Sequence, residues 1–216
     1  MSVTAVGRLK ANLARVHLQS ADRFASQCED IAAAEATLDW PQPRWEESRS
    51  LASAAVILSV AALEATVNEF FLEARDGNTT AMQHIGERHR RMLATMWDEI
   101  DEHSILHKYE IALAACEVRA FQRGEGSYQL AADLIDLRNA LVHFKPEWQH
   151  ELHRHAKLEG RLAGKFEKCT LAARAKGRMI WFPYECLGAG CARWSVHVTR
   201  EFITDFCRRL EIQPRC

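Results

Sequence analysis

The sequence lacks a long uninterrupted apolar run, and this absence limits where the chain is expected to act. Its longest uncharged apolar segment covers residues 51–63 and ends at Glu64, which is shorter than the roughly 20 residues that a transmembrane helix needs. Polar residues interrupt the N-terminal region after Arg8 and Lys10, so a secretory signal is not predicted. We therefore expect a cytoplasmic protein that does not bind a membrane.

The chain also lacks an excess of charge of either sign, because 28 Lys and Arg residues meet 29 Asp and Glu residues. This balance argues against a strongly basic, non-specific nucleic-acid binder, but it allows a local basic patch. The hydrophobic fraction of 48% is that of an ordinary globular protein and excludes general disorder. At this length we predict one domain over residues 1–216.

Several site signatures are missing as well. Seven scattered cysteines are an odd number and do not form a disulfide framework, so reduced and mostly buried thiols are expected. The gap between Cys186 and Cys191 suits a zinc-ligand pair, but no second pair completes a set, and His197 lies six residues beyond Cys191 on a predicted helix. The P-loop, GxGxxG and GxSxG motifs are absent. We predict neither a metal nor a cofactor.

What the sequence does have is helical periodicity over most of its length. Prolines and glycine-containing turns divide this pattern into segments. The predicted helices cover residues 8–38, 46–75, 79–102, 104–122, 127–145 and 191–210, with a polar helix interrupted by glycines over 148–168 and an edge strand or extended strap at 179–184. Ser104 and Ser127 are predicted N-caps. The result is an all-α, up-and-down bundle of about five to seven helices.

Three predicted helices carry apolar faces that a bundle should bury. The predicted core positions are Leu9, Leu13, Val16 and Phe24 on the first helix, Leu51, Ala55, Leu58, Ala62 and Ala65 on the second, and Trp194, Val198, Phe202 and Phe206 on the last. Beside the face of the second helix, Glu64 and Asn68 share a stripe with apolar residues. A carboxylate in that setting needs a basic or hydrogen-bonding partner.

The segment 133–146 places three polar groups on one short amphipathic helix. Its apolar stripe is Leu130, Leu134, Leu137, Leu141 and Phe144. Pro146 should stop the helix near Lys145, so Arg138, Asn139 and His143 lie near its C-terminus. Asn139 and His143 are four residues apart and share a face. Arg138 and His143 are five residues apart, so their side chains meet only if they extend around the helix toward each other.

An Arg, an amide and a His in this arrangement suit phosphodiester chemistry. The His can act as a general acid or base, and the Arg can hold a phosphate through two hydrogen bonds. Because no pair of metal-binding carboxylates is nearby, the RNA 2′-hydroxyl is the natural nucleophile, and it would give a 2′,3′-cyclic phosphate without a metal ion. On these residues alone, a structural role beside the helix C-terminus is the more common alternative.

Residues 138–143, Arg-Asn-Ala-Leu-Val-His, resemble the R-polar-x-x-x-H signature of the HEPN superfamily, which lies on the last-but-one helix of an α-helical bundle. Residues 59–71 are similar to the early helix of many HEPN-like proteins, and residues 191–202 resemble their closing helix. The three segments follow the expected order. Residues 1–45 and 76–125 match nothing in that family.

The resemblance implies a metal-independent endoribonuclease, often a toxin or an anti-phage defence effector, whose homodimer brings two motifs into one composite active site. Arg138 and His143 would be catalytic, and Asn139 would orient the substrate or the His. A cognate antitoxin or a nucleotidyltransferase would be a further partner. The alternative is a non-catalytic HEPN-like module that binds RNA or protein, including the antidote subunit of a two-component system.

Two supporting features complete the expected site. Glu64, with Asn68 beside it, is expected to lie behind the motif helix and to hold Arg138, the alternative being a rim carboxylate without a role. Residues 145–178 carry nine Lys or Arg residues against four Glu. This basic segment would contact RNA phosphates, although a solvated charged face has the same composition. The candidate contacts are Lys145, Arg154, Lys157 and Arg161.

Overall fold

The computed structural model describes residues 11–36, 44–77, 82–124, 126–145, 155–169 and 180–214. These residues form seven α-helices and one wide turn of π type, and they contain no strand. The helices are α1 (Ala14–Ala36), α2 (Trp45–Arg75), α3 (Glu87–Ile100), α4 (Ile105–Ala115), α5 (Gly126–Val142), α6 (Ala156–Leu162) and α7 (Ala189–Arg209), with the wide turn at Trp181–Glu185. The predicted all-α fold is confirmed.

Helices α2 and α7 run parallel through the centre of the bundle. In their first halves the Ser59 hydroxyl donates a hydrogen bond to the Ser195 hydroxyl at 3.3 Å. In their second halves the rings of Phe70 and Phe206 meet edge to face, with centroids 5.4 Å apart. Contacts at both levels fix the register of the two helices.

Helix α1 runs antiparallel to α2. The backbone N–H groups of Leu13 and Ala14 donate to Glu69 Oε1 near the end of α2, at 2.7 and 2.9 Å. Near the other end of α1, the Cys28 thiol donates to the Ser48 carbonyl oxygen at 3.3 Å, close to the start of α2. The side chain of Glu69 thereby satisfies N–H groups that the first turn of a helix leaves without partners.

Helix α5 is antiparallel to α7 and completes the central group of four helices. At its start the Ser127 hydroxyl donates to Asp205 Oδ2 at 2.9 Å, near the end of α7. At its other end Leu141 lies in one groove with Leu187, just before α7 begins. The C-terminus of α5 therefore lies at the end of the bundle where α2 and α7 start.

Helix α2 is buried on several sides because α1, α3, α4, α5 and α7 all pack against it. Of its predicted core face, Ala55 and Ala62 are fully buried, whereas Leu51, Leu58 and Ala65 are only partly buried. The remaining fully or almost fully buried apolar residues of α2 include Ala52, Val56, Val60, Leu63, Val67 and Phe71. A single predicted stripe was too narrow for a helix with this many neighbours.

By length and composition, α2 is the one helix among the described residues that would be able to cross a membrane. Within the bundle it is the central helix, and the core helix of a soluble protein meets the same criteria of length and hydropathy.

The predicted core face of α1 is wrong at Leu13 and Val16, while Phe24 packs against the core. Leu13 and Val16 are about half exposed, at 48% and 51%, and Phe24 is partly buried; Leu9 lies outside the described residues. The buried apolar positions are Ala14, Leu18, Ala21, Ala25, Cys28 and Ile31. Small residues face α2 and α7 because close approach of the helices is favoured over burial of the largest side chains.

Several predicted boundaries change. The helix predicted over 104–122 ends at Ala115, and Glu117 then takes a left-handed conformation (φ 55°). The helix predicted over 79–102 begins only at Glu87. Ser127 lies inside α5 and is therefore not its N-cap; Gly126 starts the helix.

The segments on either side of α6 also differ from expectation. A polar helix was predicted over 148–168. Among the residues described in this range, the helical part is the short α6; residues 146–154 lie outside the described part of the chain. The strand or strap predicted at 179–184 is a wide turn, in which the backbone N–H of Cys186 donates to the Trp181 carbonyl oxygen at 2.8 Å. Residues 39–45, between the first two predicted helices, fall mostly outside the described residues, and Trp45 already belongs to α2.

The six described cysteines are free thiols, as predicted, and all but the partly exposed Cys169 are buried. Burial raises the pKa of Cys116 to about 11 and that of Cys186 well above its ordinary value. These two thiols are therefore protonated and unreactive at neutral pH.

A charged clamp holds the segment after α4 against the end of α7. Arg209 is buried except for 12% of its side chain and donates to Asp205 Oδ2 at 3.1 Å. It also donates to the carbonyl oxygens of Arg119 and Ala120, both at 3.1 Å, and its guanidinium lies 4.3 Å from the centroid of the Phe121 ring. Asp205 in turn accepts the hydrogen bond from Ser127, so the clamp joins α5, α7 and the segment before α5.

We predict that Arg209→Met lowers the free energy of unfolding by about 2–3 kcal/mol, because it removes charge-assisted hydrogen bonds in a largely buried setting. Urea denaturation followed by circular dichroism measures the change. The matched control is Arg208→Met at the neighbouring position, where the side chain is 75% exposed and the expected effect is within about 0.5 kcal/mol. Equal changes in the free energy of unfolding for the two substitutions would contradict a stabilising role of the Arg209 clamp.

Candidate active site at the end of helix α5

The structure places the three motif residues at the C-terminus of α5, as predicted. The backbone N–H of His143 donates to the Asn139 carbonyl oxygen at 2.9 Å, and the chain leaves the helix there. His143 is exposed, whereas Arg138 and Asn139 are partly buried. Two residues of the predicted stripe, Leu134 and Leu137, are fully buried and hold the helix to the core.

The Arg138 guanidinium has no acceptor among the described residues. Its Nε atom is buried and has no hydrogen-bond partner. Within the described part of the chain, no carboxylate lies within ion-pair distance of it. A buried N–H group without an acceptor costs roughly 1–3 kcal/mol, so Arg138 has strong affinity left for an acceptor from outside the protomer.

The expected Glu64–Arg138 pair is not formed among the described residues, because Glu64 has a different neighbour. Its Oε1 atom lies 3.9 Å from Lys108 Nζ, and Asn68 Oδ1 accepts a hydrogen bond from the same ammonium at 3.1 Å. The Lys108 side chain is only 1% exposed, while that of Glu64 is 46% exposed. The basic partner that this stripe of α2 needed is therefore supplied by α4.

Lys108 is a residue that the sequence reasoning missed. It stands on the buried stripe of α4 with Ile105, Tyr109 and Ala112. A lysine at a position where helical spacing calls for an apolar side chain was the signal that would have identified it.

The basic segment 145–178 is partly neutralised by α5. Asp133 is almost fully buried and accepts from Lys165 Nζ at 2.6 Å, and Arg161 Nε lies 3.3 Å from it. Arg161 also pairs with Asp136 at 2.5 Å. These pairs fasten α6 to α5, and the phosphate contact of Arg161 stays a prediction.

The other predicted RNA contacts have different outcomes. Lys145 and Lys157 are exposed, and none of the ion pairs found among the described residues involves them. Arg154 lies outside the described residues. Asp133, which the prediction overlooked, pairs with two basic residues of the segment, Arg161 and Lys165.

A groove of about 720 Å³ opens beside the motif and is called the motif-end groove below. Leu141 and Phe144 line it from the end of α5, Arg49 and Ile57 from α2, and Phe182 from the wide turn. The Phe144 ring contacts that of Phe182, with centroids 5.9 Å apart. The groove therefore brings the end of the motif helix, the start of α2 and the wide turn together.

Large apolar side chains are exposed around the same helix end. Ile57, Val142 and Phe144 are 40%, 52% and 45% exposed; these three residues are called the motif-end patch. Apolar residues grouped beside polar ones mark interaction surfaces more often than scattered ones do. The patch and the groove adjoin the motif residues.

A second cavity, of about 390 Å³, lies at the opposite end of the bundle, near Phe70, Phe206 and the start of α1. It contains Arg15 and Glu69. Arg138, Asn139 and His143 line neither this cavity nor the motif-end groove. Among the residues described, no three His, Cys, Asp or Glu side chains are arranged to hold a metal ion. The motif-end groove is the one that the sequence neighbours of His143, Leu141 and Phe144, line.

Comparisons with models of protein families, with curated proteins and with solved structures find no match for this chain.

The attachment of α6 gives a direct test of the Asp133 pairs. Asp133→Asn is expected to destabilise the protein by about 2–3 kcal/mol, since it removes the buried partner of Lys165 and Arg161. Hydrogen exchange should then be faster in α6. The control Asp136→Asn alters a 47% exposed carboxylate that also pairs with Arg161, and about 0–1 kcal/mol is expected. Unchanged exchange in α6 for Asp133→Asn would rule out the proposed attachment.

Proposed function

We propose that the chain is a metal-independent endoribonuclease of HEPN type that acts as a toxin or an anti-phage defence effector. The observation that carries this proposal is Arg138, whose partly buried guanidinium has no acceptor in the described protomer, next to Asn139 and the exposed His143 at an open helix end. A phosphate supplies the acceptor that Arg138 lacks. The exposed imidazole is accessible to a bound strand.

In the proposed reaction, His143, Arg138 and Asn139 act on an RNA strand bound at this helix end. His143 accepts the proton of the RNA 2′-hydroxyl, and the 2′-oxygen attacks the adjacent phosphorus. The bond from phosphorus to the 5′-oxygen then breaks, the 5′-oxygen receives a proton, and a 2′,3′-cyclic phosphate remains. Arg138 offsets the charge that builds on the non-bridging oxygens, and Asn139 orients the substrate or the imidazole.

A homodimer supplies a second motif to the same cleft. The motif-end patch leaves Ile57, Val142 and Phe144 exposed around the motif, and a second copy that covers it removes apolar surface from water. Two imidazoles in one cleft allow one to take the proton from the 2′-hydroxyl while the other protonates the leaving 5′-oxygen. The composite site thus assigns both proton transfers to His143 residues.

A second candidate function is a non-catalytic module that binds a protein, including the antidote subunit of a two-component system. The observation that favours it is the neutralisation of Arg161 and Lys165 by Asp133 and Asp136. These pairs leave less positive charge for RNA than the composition of the basic segment indicates, while the motif-end patch is well suited to a protein partner.

Cleavage of end-labelled RNA in the presence of EDTA tests the enzymatic function. The wild-type protein is expected to cut and to leave 2′,3′-cyclic phosphate ends. His143→Ala and Arg138→Ala should each reduce the rate by roughly 10²–10⁴-fold. His197→Ala, at an exposed position of α7, is the control and should leave the rate unchanged. RNA that remains intact with the wild-type protein would favour the binding module.

Sedimentation velocity tests the dimer. Val142→Asp places a charge in the motif-end patch and should produce a monomer that no longer cuts RNA, because desolvating an unpaired carboxylate is costly. Val16→Asp is the matched control, since Val16 is exposed to nearly the same degree, 51% against 52%, at the opposite end of the bundle. A dimer that survives Val142→Asp would refute this interface.

A further inference from the structure

Arg49 has an unusual environment for a cation on a helix surface. Its guanidinium carbon lies 4.1 Å from the centroid of the Trp45 ring and 4.7 Å from that of Tyr184. The two ring centroids are 6.2 Å apart, with an angle of 32° between the planes. We call Trp45, Arg49 and Tyr184 the aromatic cradle. Among the described ion pairs, none involves Arg49, so the rings orient its charge while no carboxylate neutralises it.

The aromatic cradle lies at one end of the motif-end groove. Arg49 lines the groove on the first turns of α2, and Ile57 lines it two turns further along. The helical rise puts these two positions about 12 Å apart. Leu141 and Phe144, on either side of His143 in sequence, line the same groove. One continuous surface therefore connects the end of the motif helix with the cradle.

The chemistry of the cradle is suited to a nucleotide. Single-stranded RNA is bound by aromatic rings on which bases stack and by cations that hold the backbone. Trp45 is 37% exposed, so part of its ring is open to a ligand. Arg49 offers planar donors to a phosphate. Glu46 also lines the groove, and its charge opposes an anion there. Arg49 is the one cation among the described residues that line the groove.

An RNA strand fits these observations better than a protein partner does. In the proposed dimer a second copy covers Ile57 and Phe144 and leaves the cradle open, about two turns of α2 away from Ile57 along the groove. An apolar protein surface would gain little from a cation held against two rings. Duplex RNA hides its bases within the stack and presents none to Trp45. The combination of an open aromatic ring, an unneutralised Arg and a groove that reaches the motif favours a single strand.

We infer that the aromatic cradle is a subsite for one nucleotide of single-stranded RNA, with its base on Trp45 and its phosphate on Arg49, on the same strand that is cut at His143. The inference rests on the proposed function for the choice of RNA as ligand. It gives the enzyme a preference for unpaired RNA on one side of the cleavage site. It also assigns RNA binding to the start of α2 in addition to the basic segment.

Fluorescence anisotropy with a labelled short single-stranded RNA tests the subsite, in a His143→Ala background that prevents cutting. Arg49→Ala is expected to weaken binding by about tenfold and to lower the slope of log K against log salt concentration by about one. Trp45→Ala should weaken binding about tenfold, and Trp45→Phe, which keeps an aromatic face, should retain most of the affinity. Binding of a blunt RNA duplex should not depend on Trp45.

Arg44→Ala is the matched control. Arg44 directly precedes Trp45, carries the same charge and pairs with Glu47 at 3.0 Å, so its removal should change the affinity by less than about twofold. Thermal melting of each variant checks the fold, and Arg49→Lys provides a second variant that keeps the charge but loses the planar donors. Arg49→Lys should bind more weakly than the parent but retain its salt slope.

The outcomes separate this inference from the proposed function. If the wild-type protein cuts RNA with EDTA present but Arg49→Ala binds like Arg44→Ala, the subsite is overturned and the nuclease stands. If binding depends on Arg49 and Trp45 while the wild-type protein cuts nothing, the subsite stands and the nuclease fails. If Arg49→Ala instead dissociates the dimer and leaves RNA affinity unchanged, the cradle is a protein contact and the inference is overturned.

Discussion

The small side chains buried along α2 determine how closely the other helices approach it, and the position of the candidate site follows from that packing. Ala52, Ala55 and Ala62 are fully buried, so neighbouring backbones lie close to the helix. Helix α7 runs parallel to α2 and α5 runs antiparallel to both, which places the C-terminus of α5 where the other two begin. A larger side chain at these alanines would displace the neighbouring helices and with them the geometry around His143.

Charged groups inside the bundle fall into two kinds. Lys108 and Asp133 are nearly inaccessible. Lys108 meets Asn68 of α2 and Asp133 meets Arg161 of α6, which joins α4 to α2 and α6 to α5. Arg138 is also partly buried, but its guanidinium has no partner in the described protomer. Because burial without a partner is unfavourable, this contrast distinguishes residues that hold the fold from one that is available to a ligand or to a second subunit.

Periodicity placed α2, α5 and α7 close to their observed bounds. Of the three, α7 buries its whole predicted apolar face, Trp194, Val198, Phe202 and Phe206. Periodicity failed for α1, where alanines face the core and Val16 faces solvent, since hydrophobicity alone cannot tell which flank a neighbouring helix will approach. The position of the motif at a helix end was predictable from Pro146 and the apolar stripe. The partner of Glu64 was not predictable, because the ion pair with Lys108 depends on how α4 crosses α2. The charge count over 145–178 did not reveal that Asp133 of α5 faces the basic residues of this segment.

The hydrogen bonds from the start of α1 to Glu69 make the beginning of that helix depend on residues far away in the chain. The N–H groups of Leu13 and Ala14 find their acceptor only on the completed C-terminal half of α2, 56 and 55 positions later. Local sequence alone therefore does not define where α1 starts. During synthesis the first turn of α1 would remain frayed until the end of α2 has emerged and docked. An ordered first turn of α1 therefore indicates that α1 and α2 have packed together.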